Sequence, residues 1–597
     1  METTSISSFM VSEKRWVFPD DEFHEISDDL KAIQKLPESL ALLLQRRGIR
    51  TLPEMEAFFR PSILQLHNPF LMKDMDVAVE RLLIAIEKGE KIMVFGDYDV
   101  DGTTATALAY KILRSFGAEV LFYIPDRYKE GYGISTAGID FASENGVSLI
   151  VALDCGIKAL DKVQYAKEKS IGFIICDHHL PGDQLPDAVA VLDPKRGDCP
   201  YPFKELSGCG VGFKLMQALL EKTGRSSEIL MDCLDLVALS IASDIVPVTG
   251  ENRILLHAGL EKINRNPSIG MEALLEVAGF QKKDNGTYGL RVDRLVFGLG
   301  PRINAAGRIG HGKGAVELLL SENPEKAAEL ARSVDVQNTE RRELDKSISQ
   351  EAIDLIESSE ENRVAFSTVL YRESWHKGVI GIVASRCIEK YHRPTIILTR
   401  SEGKLVGSGR SVPGFDLYSA LDACSHHLIQ FGGHFFAAGM SLEESKLNEF
   451  REAFEAEVRK KMRLEDLQPV LTIDACINPD EINRMYFRWV EGMGPFGPGN
   501  MNPLFVLKGM KDSGQSRLLE NKAGGSAHIK FSLSHSSLIS EGFPYSLEGI
   551  GFGMGDHWQL VQSGHPFDLA FHLEENTFRD RSTIQLMVKE IRPSADA

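Results

Sequence analysis

Lys91-Ile-Met-Val-Phe-Gly-Asp97-Tyr-Asp-Val-Asp101-Gly102 is the stretch that decides the fold. An apolar, strand-like run ends in alternating aspartates. Gly102 then permits a tight turn into the helical period of Thr103 to Phe116. Two other apolar runs end the same way. Ser148-Leu-Ile-Val-Ala-Leu153 leads into Asp154-Cys-Gly, and Ile171-Gly-Phe-Ile-Ile-Cys176 into Asp177-His-His. A fourth acidic position, Ser243-Asp244, follows the helical stretch Ile229 to Ile241. Glu119 to Ile124 and Ala188 to Leu192 are further strand candidates. Strands alternating with helical periods from about 71 to 255 predict a doubly wound parallel sheet. Such sheets keep their ligands at the carboxyl ends of the strands.

Carboxylates gathered at one sheet edge repel one another unless a cation sits between them. An oxygen-rich donor set with some imidazole suits Mn²⁺ or Mg²⁺ better than thiolate-seeking metals. Alternate strand residues share a face, so Asp97, Asp99 and Asp101 align until Gly102 turns the chain, and Asp99 and Asp101 stand nearest the strand end. Two divalent ions about 3.5–4 Å apart in such a site activate water and neutralise a phosphate. The pattern reads as metal-dependent phosphoryl transfer. Taken singly, each patch has a plainer reading: a turn for Asp-x-Asp, a loop cap for Asp154, a structural hydrogen bond for His178. Their shared register with strand ends is what favours a metal site.

A chain of 597 residues holds about three or four domains. Its 43% hydrophobic and 25% charged content is that of a globular protein. The 8 cysteines form no Cys-x-x-Cys pair, which argues against a disulfide scaffold or a structural zinc site. Met1 to Lys14 lacks the apolar core of a signal peptide, and no run is long and apolar enough to span a bilayer. The expectation is a cytoplasmic protein with no membrane partner. A net charge of −18 argues against a polyanionic partner unless charge is segregated. Local basic surfaces can exist: Arg291, Arg294, Arg302, Arg308, His311 and Lys313 stand against one acid, Asp293, and Arg386 to Arg410 is also basic, with ordinary solvated faces as the plainer reading of the charge alone.

Residues 1–70 read as an N-terminal extension with short helices at Pro37 to Arg47 and Pro53 to Phe59. The parallel-sheet domain spans 71–255. A Gly- and Arg-rich connector with a long helix, Asn323 to Ile356, fills 256–361. A second α/β domain covers 362–462, with strands at Val364 to Leu370, Thr395 to Thr399 and Lys404 to Ser408. Short strands over 465–592 predict an all-β OB-fold barrel, a fold that binds single strands by stacking and backbone charge. Tyr486, Phe487, Trp489 and Phe496 are its candidate stacking residues, with barrel core as the competing reading.

The Asp-Tyr-Asp-x-Asp-Gly patch, Asp154-Cys-Gly and Asp177-His-His resemble the DHH phosphoesterase superfamily. Within it, several motifs are similar to the RecJ family of single-stranded-DNA exonucleases. These are Pro301-Arg-Ile-Asn-Ala-Ala-Gly-Arg308, Trp375-His-Lys-Gly-Val-Ile-Gly-Ile-Val-Ala-Ser-Arg386, Gly407-Ser-Gly-Arg-Ser411, Gly432-Gly-His434, Ala437-Ala-Gly439 and Pro495-Phe-Gly-Pro-Gly-Asn500. The resemblance implies two Mn²⁺ or Mg²⁺ ions held by Asp99, Asp101, Asp154, His178 and Asp244. Asp97 and Asp177 would orient ligands, and His179 would be a ligand or a contact to the scissile phosphate. It implies substrate contacts from Arg302, Asn304, Arg308, His376, Ser408, Arg410 and His434, in a DHH domain joined by the long helix to a DHH-associated domain. The implied activity is 5′→3′ exonuclease cleavage of single-stranded DNA in repair and recombination, by a monomer assisted by a helicase and a single-strand-binding protein. Two other readings are a phosphoesterase of small substrates (an oligoribonucleotide, a cyclic dinucleotide or pyrophosphate) and a degenerate relative that only binds.

Overall fold

The quoted run forms β1 (Lys91–Gly96), buried from Ile92 onward because both faces of a parallel sheet are covered. A computed structural model of the chain describes residues 14–19, 25–310, 312–520, 526–540, 543–578 and 581–594. His311 and residues 1–13 of the expected extension lie outside the described residues. β1 is flanked by β2 (Val120–Tyr123) and β3 (Val147–Leu153); β4 (Gly172–Cys176) and β5 (Ala190–Leu192) complete an all-parallel sheet of order β2-β1-β3-β4-β5. That order seats β1, β3 and β4 side by side, so the acidic patches that follow them lie at neighbouring strand ends.

α1 (Val100–Ser115) leaves β1 through the turn at Asp97 to Gly102. The Asp99 carboxylate caps it, accepting from the Gly102 amide at 3.0 Å. Residue 102 must be glycine: a Cβ there would lie 2.4 Å from the Asp97 backbone. α2 (Gly208–Thr223), capped by Ser207, and α3 (Leu234–Ser243) pack on the same side, joined by a 2.8 Å bond between the Ser207 and Ser240 hydroxyls. Asp244 is the C-terminal cap of α3.

The segment expected to begin a connector is instead part of this first lobe. Helices Gly250–Arg265, Ile269–Val277, α4 (Gly300–Ile309) and Lys313–Leu319 bury Leu255, Leu274, Ile303, Ala306 and Leu318 in one core with Leu108 and Ile112 of α1. Its glycines and arginines read as a linker in one dimension, whereas their helical spacing leaves an apolar face. α5 (Pro324–Glu357) is the long helix, 34 residues and about 51 Å, started by an Asn323 cap and Pro324. Its first half buries Ala327, Ala331 and Val334 in the first lobe. Its second half buries Ile348, Ala352 and Ile356 against α6 (Ile380–Tyr391) of the next lobe.

The second lobe is a mixed sheet of β6 (Thr368–Tyr371), β7 (Thr395–Ser401), β8 (Lys404–Arg410), β9 (Gln430–Gly433) and β10 (Ala437–Leu442), in the order β9-β10-β8-β7-β6. Only β6 and β7 are parallel. The strand expected from Val364 begins at Thr368, because Ser359 caps a short helix over Glu360–Val364.

Ser62 to Leu467 forms one compact unit. The other is discontinuous in sequence: the segment ending at Pro61 folds with everything from Gln468 onward. In that second unit Phe505–Asp512, Phe567–Phe578, Arg581–Pro593, Leu547–Gly551 and His528–Ser534 pair in turn, and Lys511↔Ser534 closes them into a five-stranded barrel. Strand alternation sends Phe505 and Leu507 inward and Val506 outward. Leu40, Leu43, Leu44 and Met55 of the N-terminal helices join the inner core, so the expected extension is a component of the barrel unit. Trp16 covers Val506 outside, on a strand (Arg15–Val17) paired in parallel with Val470–Thr472. Tyr486 and Phe487 are buried in the core, and the Trp489 ring packs on Phe59 at 5.4 Å, so these aromatics serve packing.

Candidate metal centre

Each acidic strand end places its carboxylate by a different local device. Asp154 takes a left-handed φ of 59°, tolerated by aspartate, and Gly156 at 115° completes the turn away from β3. Gly208 abuts it; a Cβ there would approach the Asp154 side chain to 2.6 Å. The N-terminus of α2 points at Asp101, whose oxygens accept from the Gly208 amide (2.6 Å), the Cys209 amide (2.8 Å) and the Ser240 hydroxyl (2.6 Å). A helix N-terminus is a favourable place for negative charge.

His178 joins the patches. Its Nε2 lies 3.2 Å from Asp154 Oδ1, 3.6 Å from Asp244 Oδ2 and 3.8 Å from Asp101 Oδ2. Asp177 is occupied otherwise. It accepts from the amides of Ile157 (2.9 Å), His178 (2.8 Å) and His179 (3.1 Å) and bonds the His179 ring at Nδ1 (2.7 Å). The other nitrogen of His179 meets the Tyr132 hydroxyl at 3.0 Å.

The electrostatics of these groups diverge. Burial first, and the neighbouring carboxylates second, push Asp97, Asp154 and Asp101 up, Asp101 to about 7. Burial also raises Asp99, against the Gly102 amide. Asp177 goes the other way: burial alone would raise it, but the His179 ring and the Ile157 amide bring it to about 2. Burial lowers His178, which keeps its imidazole neutral and its lone pair available. Burial also opposes charge on His179, but Asp177 outweighs it and raises that ring.

Among the described residues, both oxygens of Asp97, Oδ2 of Asp244 and Nδ1 of His178 are buried without a hydrogen bond. The Tyr98 and Gly133 amides near Asp97 only partly offset its burial. Three sets bring donor atoms within 4.8 Å of one another: Asp101, His178 and Asp244; Asp97, Asp99 and Asp154; and Asp154, His178 and His179. Oxygen-rich, partly orphaned and mutually repelling, these groups fit hard divalent cations.

Beside the carboxylates stands a group of opposite charge. Arg308 is pushed down to about 10 by burial, Arg127 and Arg410, and Arg410 is lowered by burial and Arg127. Among the described residues none of the three forms an ion pair. Arg308 donates to the Gly378 carbonyl (3.3 Å), Arg410 to Ser408 Oγ (3.0 Å), and Arg127 lies 4.9 Å over the Tyr98 ring. His376 accepts from the Gly378 amide and meets the Tyr128 ring at 6.2 Å, whereas Asn304 is half-buried on α4. His434 sits at the β9–β10 turn, within the fields of Lys158 and His179. Arg302 differs from the other arginines. Asp335 (2.8 Å) and the Gly298 and Val277 carbonyls hold its guanidinium, so it braces α4.

Sequence reasoning did not single out Arg127, Tyr132, Ser240 or the amides of α2. Arg127 and Tyr132 follow a recognised strand, β2, and its end lies on the same sheet edge. The α2 contribution is backbone, which no side-chain motif reports.

Residues 91–241 match the DHH family, N-terminal domain; 361–460 match the DHHA1 domain and 473–590 the RecJ OB domain. The chain is 34% identical over 584 residues to the single-stranded-DNA-specific exonuclease RecJ of Bacillus subtilis, spanning 97% of this chain and 71% of that protein. It is 35% identical over 587 residues to the Escherichia coli RecJ exonuclease, spanning 95% and 98%. The crystal structure of RecJ in complex with Mn²⁺ from Thermus thermophilus superposes with a TM-score of 0.79 at 27% identity, covering 97% of this chain and 80% of that one.

Proposed function

The chain belongs to the RecJ family of single-stranded-DNA-specific exonucleases, and on that premise we propose how its residues divide the work. It hydrolyses phosphodiesters of single-stranded DNA with divalent metal ions, as its family does. Two ions would be held by the two carboxylate sets, with Asp154 common to both: Asp97, Asp99 and Asp154 in one, Asp101, Asp154, His178 and Asp244 in the other. When bound, Mn²⁺ or Mg²⁺ supplies an activated water and screens charge on the phosphate.

The rest is done by this chain's own groups. Asp177 fixes the His179 ring through Nδ1 and favours its protonated form against burial, while the Tyr132 hydroxyl meets the other ring nitrogen. Arg127, Arg308 and Arg410 form an anion site beside the carboxylates, and guanidinium groups bind phosphate bidentately. The 5′→3′ polarity is carried over from the family resemblance alone. The barrel unit would add affinity for the single strand. A helicase and a single-strand-binding protein are the proposed partners, the acting species is a monomer, and the cytoplasm its place.

The convergence of buried, uncompensated carboxylates at one sheet edge, next to unpaired arginines, carries this reading. Incubation with end-labelled single strand, duplex and short oligoribonucleotide, with Mn²⁺ or EDTA, tests it. Mn²⁺-dependent loss of the 5′-labelled single strand alone is expected. Cleavage confined to the shortest substrates would replace the reading with a small-substrate phosphoesterase.

A further inference from the structure

The arginines of the anion site must keep their charge unpaired if they are to meet a phosphate. An acidic partner would hold such an arginine still but would also neutralise it. Arg127 forms no ion pair among the described residues, and no regular element lies beneath it. It belongs to the segment 124–135, which leaves β2 after Tyr123 and runs without helix or strand to the helix Thr136–Glu144. Two more groups that face the centre stand on this segment. The Tyr128 hydroxyl donates to the Arg308 carbonyl, and the Tyr132 hydroxyl meets the His179 ring at 3.0 Å. Gly131 and Gly133 flank Tyr132 with φ of 86° and 78°, conformations open to glycine but costly to order. Such a loop stays in place only if other bonds replace the missing ladder.

Glu130 supplies them. Its Oε1 accepts from the Asp126 amide at 2.7 Å, and its Oε2 accepts from the Tyr123 hydroxyl at 2.9 Å and from the Ser135 hydroxyl. One carboxylate thus ties together the strand end, the start of the loop and its last residue. Ser135 in turn caps the helix that follows, accepting from the Gly138 amide at 3.0 Å. Inside the ring so closed, Asp126 accepts from the Tyr128 and Lys129 amides at 2.8 and 3.1 Å, which fixes the backbone around Arg127. Burial first and Glu130 second hold Tyr123 in its protonated form, so its hydroxyl remains a donor. Glu130 is half-buried, and among the described residues it forms no ion pair and bonds none of the metal-centre groups. A carboxylate on the loop that carries Arg127 works against phosphate binding by its charge, so its use lies in what it holds.

We propose that Glu130 is a positioning residue, the brace that sets Arg127, Tyr128 and Tyr132 before the substrate arrives. The brace serves the anion site proposed above and rests on that reading. It acts on Arg127 through the backbone, which leaves the guanidinium charge free for phosphate. Groups held in this way lose little freedom on binding, and that preorganisation shows in affinity. The chemistry of the three accepted bonds also ranks the substitutions. Glutamine keeps one oxygen for the Asp126 amide and turns its amide nitrogen to two hydroxyls that can accept. Aspartate is one methylene shorter and cannot span from Asp126 to Tyr123 and Ser135 unless the loop moves. Alanine keeps none of the bonds.

The test uses the full chain, and the loop reports on itself because Arg127 and Lys129 are trypsin sites. In EDTA, the Glu130→Ala variant should keep native circular dichroism but be cut after these residues about tenfold faster than the native protein. With Mn²⁺ and a 5′-phosphorylated single strand, its KM should rise about tenfold while kcat stays within about threefold. Glu130→Gln should stay within about twofold of the native protein in both assays. In an Arg127→Ala background, Glu130→Ala should raise KM by less than about threefold further, because most of its effect runs through that arginine. Effects that multiply in full, or a loop as resistant to trypsin in Glu130→Ala as in the native protein, overturn the brace. If Glu130→Ala does not fold, Glu130→Asp takes its place with the same expectations and the same overturning results. A loop that opens in the variant of a protein that cleaves nothing leaves the brace standing and strikes the exonuclease reading instead.

Discussion

Asp154 is the residue on which the two carboxylate sets meet, and it should be the least replaceable side chain in the protein. Asp154→Ala removes a donor from both sets. Loss of metal-borne stabilisation worth several kcal/mol corresponds to a rate loss on the order of 1,000-fold, at about 1.36 kcal/mol per tenfold. Nuclease assays in Mn²⁺ check this, and filter binding of single strand should be nearly unchanged. The same residues predict how the metal-free protein responds to pH. A carboxyl such as Asp101, held near 7 when folded and at 3.8 otherwise, stabilises the fold while protonated. That contribution is full below the ordinary carboxylate range and is gone once pH passes about 7. Tm in EDTA should therefore fall by a few degrees between about pH 5 and pH 8. Mn²⁺ should raise Tm more at the upper pH, because the ion binds the ionised form. A Tm that climbs over this window in EDTA would count against the buried-carboxylate account. Of this centre, Asp99, Asp101, Asp154, His178 and Asp244 were legible in the sequence because each patch follows a strand or helix end. The ligand-like position of Asp97 was not: strand alternation cannot say which carboxyl the turn leaves without hydrogen bonds.

Elements, rather than residues, set the precision of the centre. The N-terminus of α2 does two things at once: its amides hold Asp101, and its first residue, Gly208, fits against Asp154. Gly208→Ala would push a methyl group into Asp154, whose left-handed backbone has little freedom to yield. The expected result is a folded protein with native circular dichroism but Mn²⁺ affinity weakened about 10- to 100-fold, the range seen when groups that orient ligands are lost. Titration calorimetry decides it; native affinity would mean that Asp154 can shift without consequence. The parallel sheet and the long helix could be read from sequence, since apolar runs and an uninterrupted charged helical period are one-dimensional signals. The helices over 250–319 could not, because Gly and Arg dominate a composition whose order emerges only once the chain is wound and its apolar face is turned to α1.

At the scale of the molecule, the barrel unit is assembled from both ends of the chain. Leu40, Leu44 and Met55 lie in the same core as Phe505, Phe531 and Phe567. A truncation after about residue 463 thus removes the barrel and strands those leucines in solvent. Clean separation requires 62–467 on its own. That fragment should retain Mn²⁺-dependent cleavage of short oligonucleotides while losing affinity for long strands, measured by comparing KM across substrate lengths. Deleting only the first 61 residues should instead leave 468–597 open to limited proteolysis; full protease resistance of that region would show the N-terminal helices to be dispensable. Nothing in residues 14–61 announces this partnership, since a helix pattern does not name the surface it will cover.

The split barrel also has a timetable. The helices over 28–59 leave the ribosome before the strands that complete their core, which follow roughly 400 residues later. At about 5–20 residues per second the delay is roughly 20 to 80 s. Throughout it, the apolar faces of these helices have no barrel core to cover them. The strands made after the nuclease lobe are therefore the ones that shelter helices made before it, and an interrupted synthesis leaves those helices unshielded.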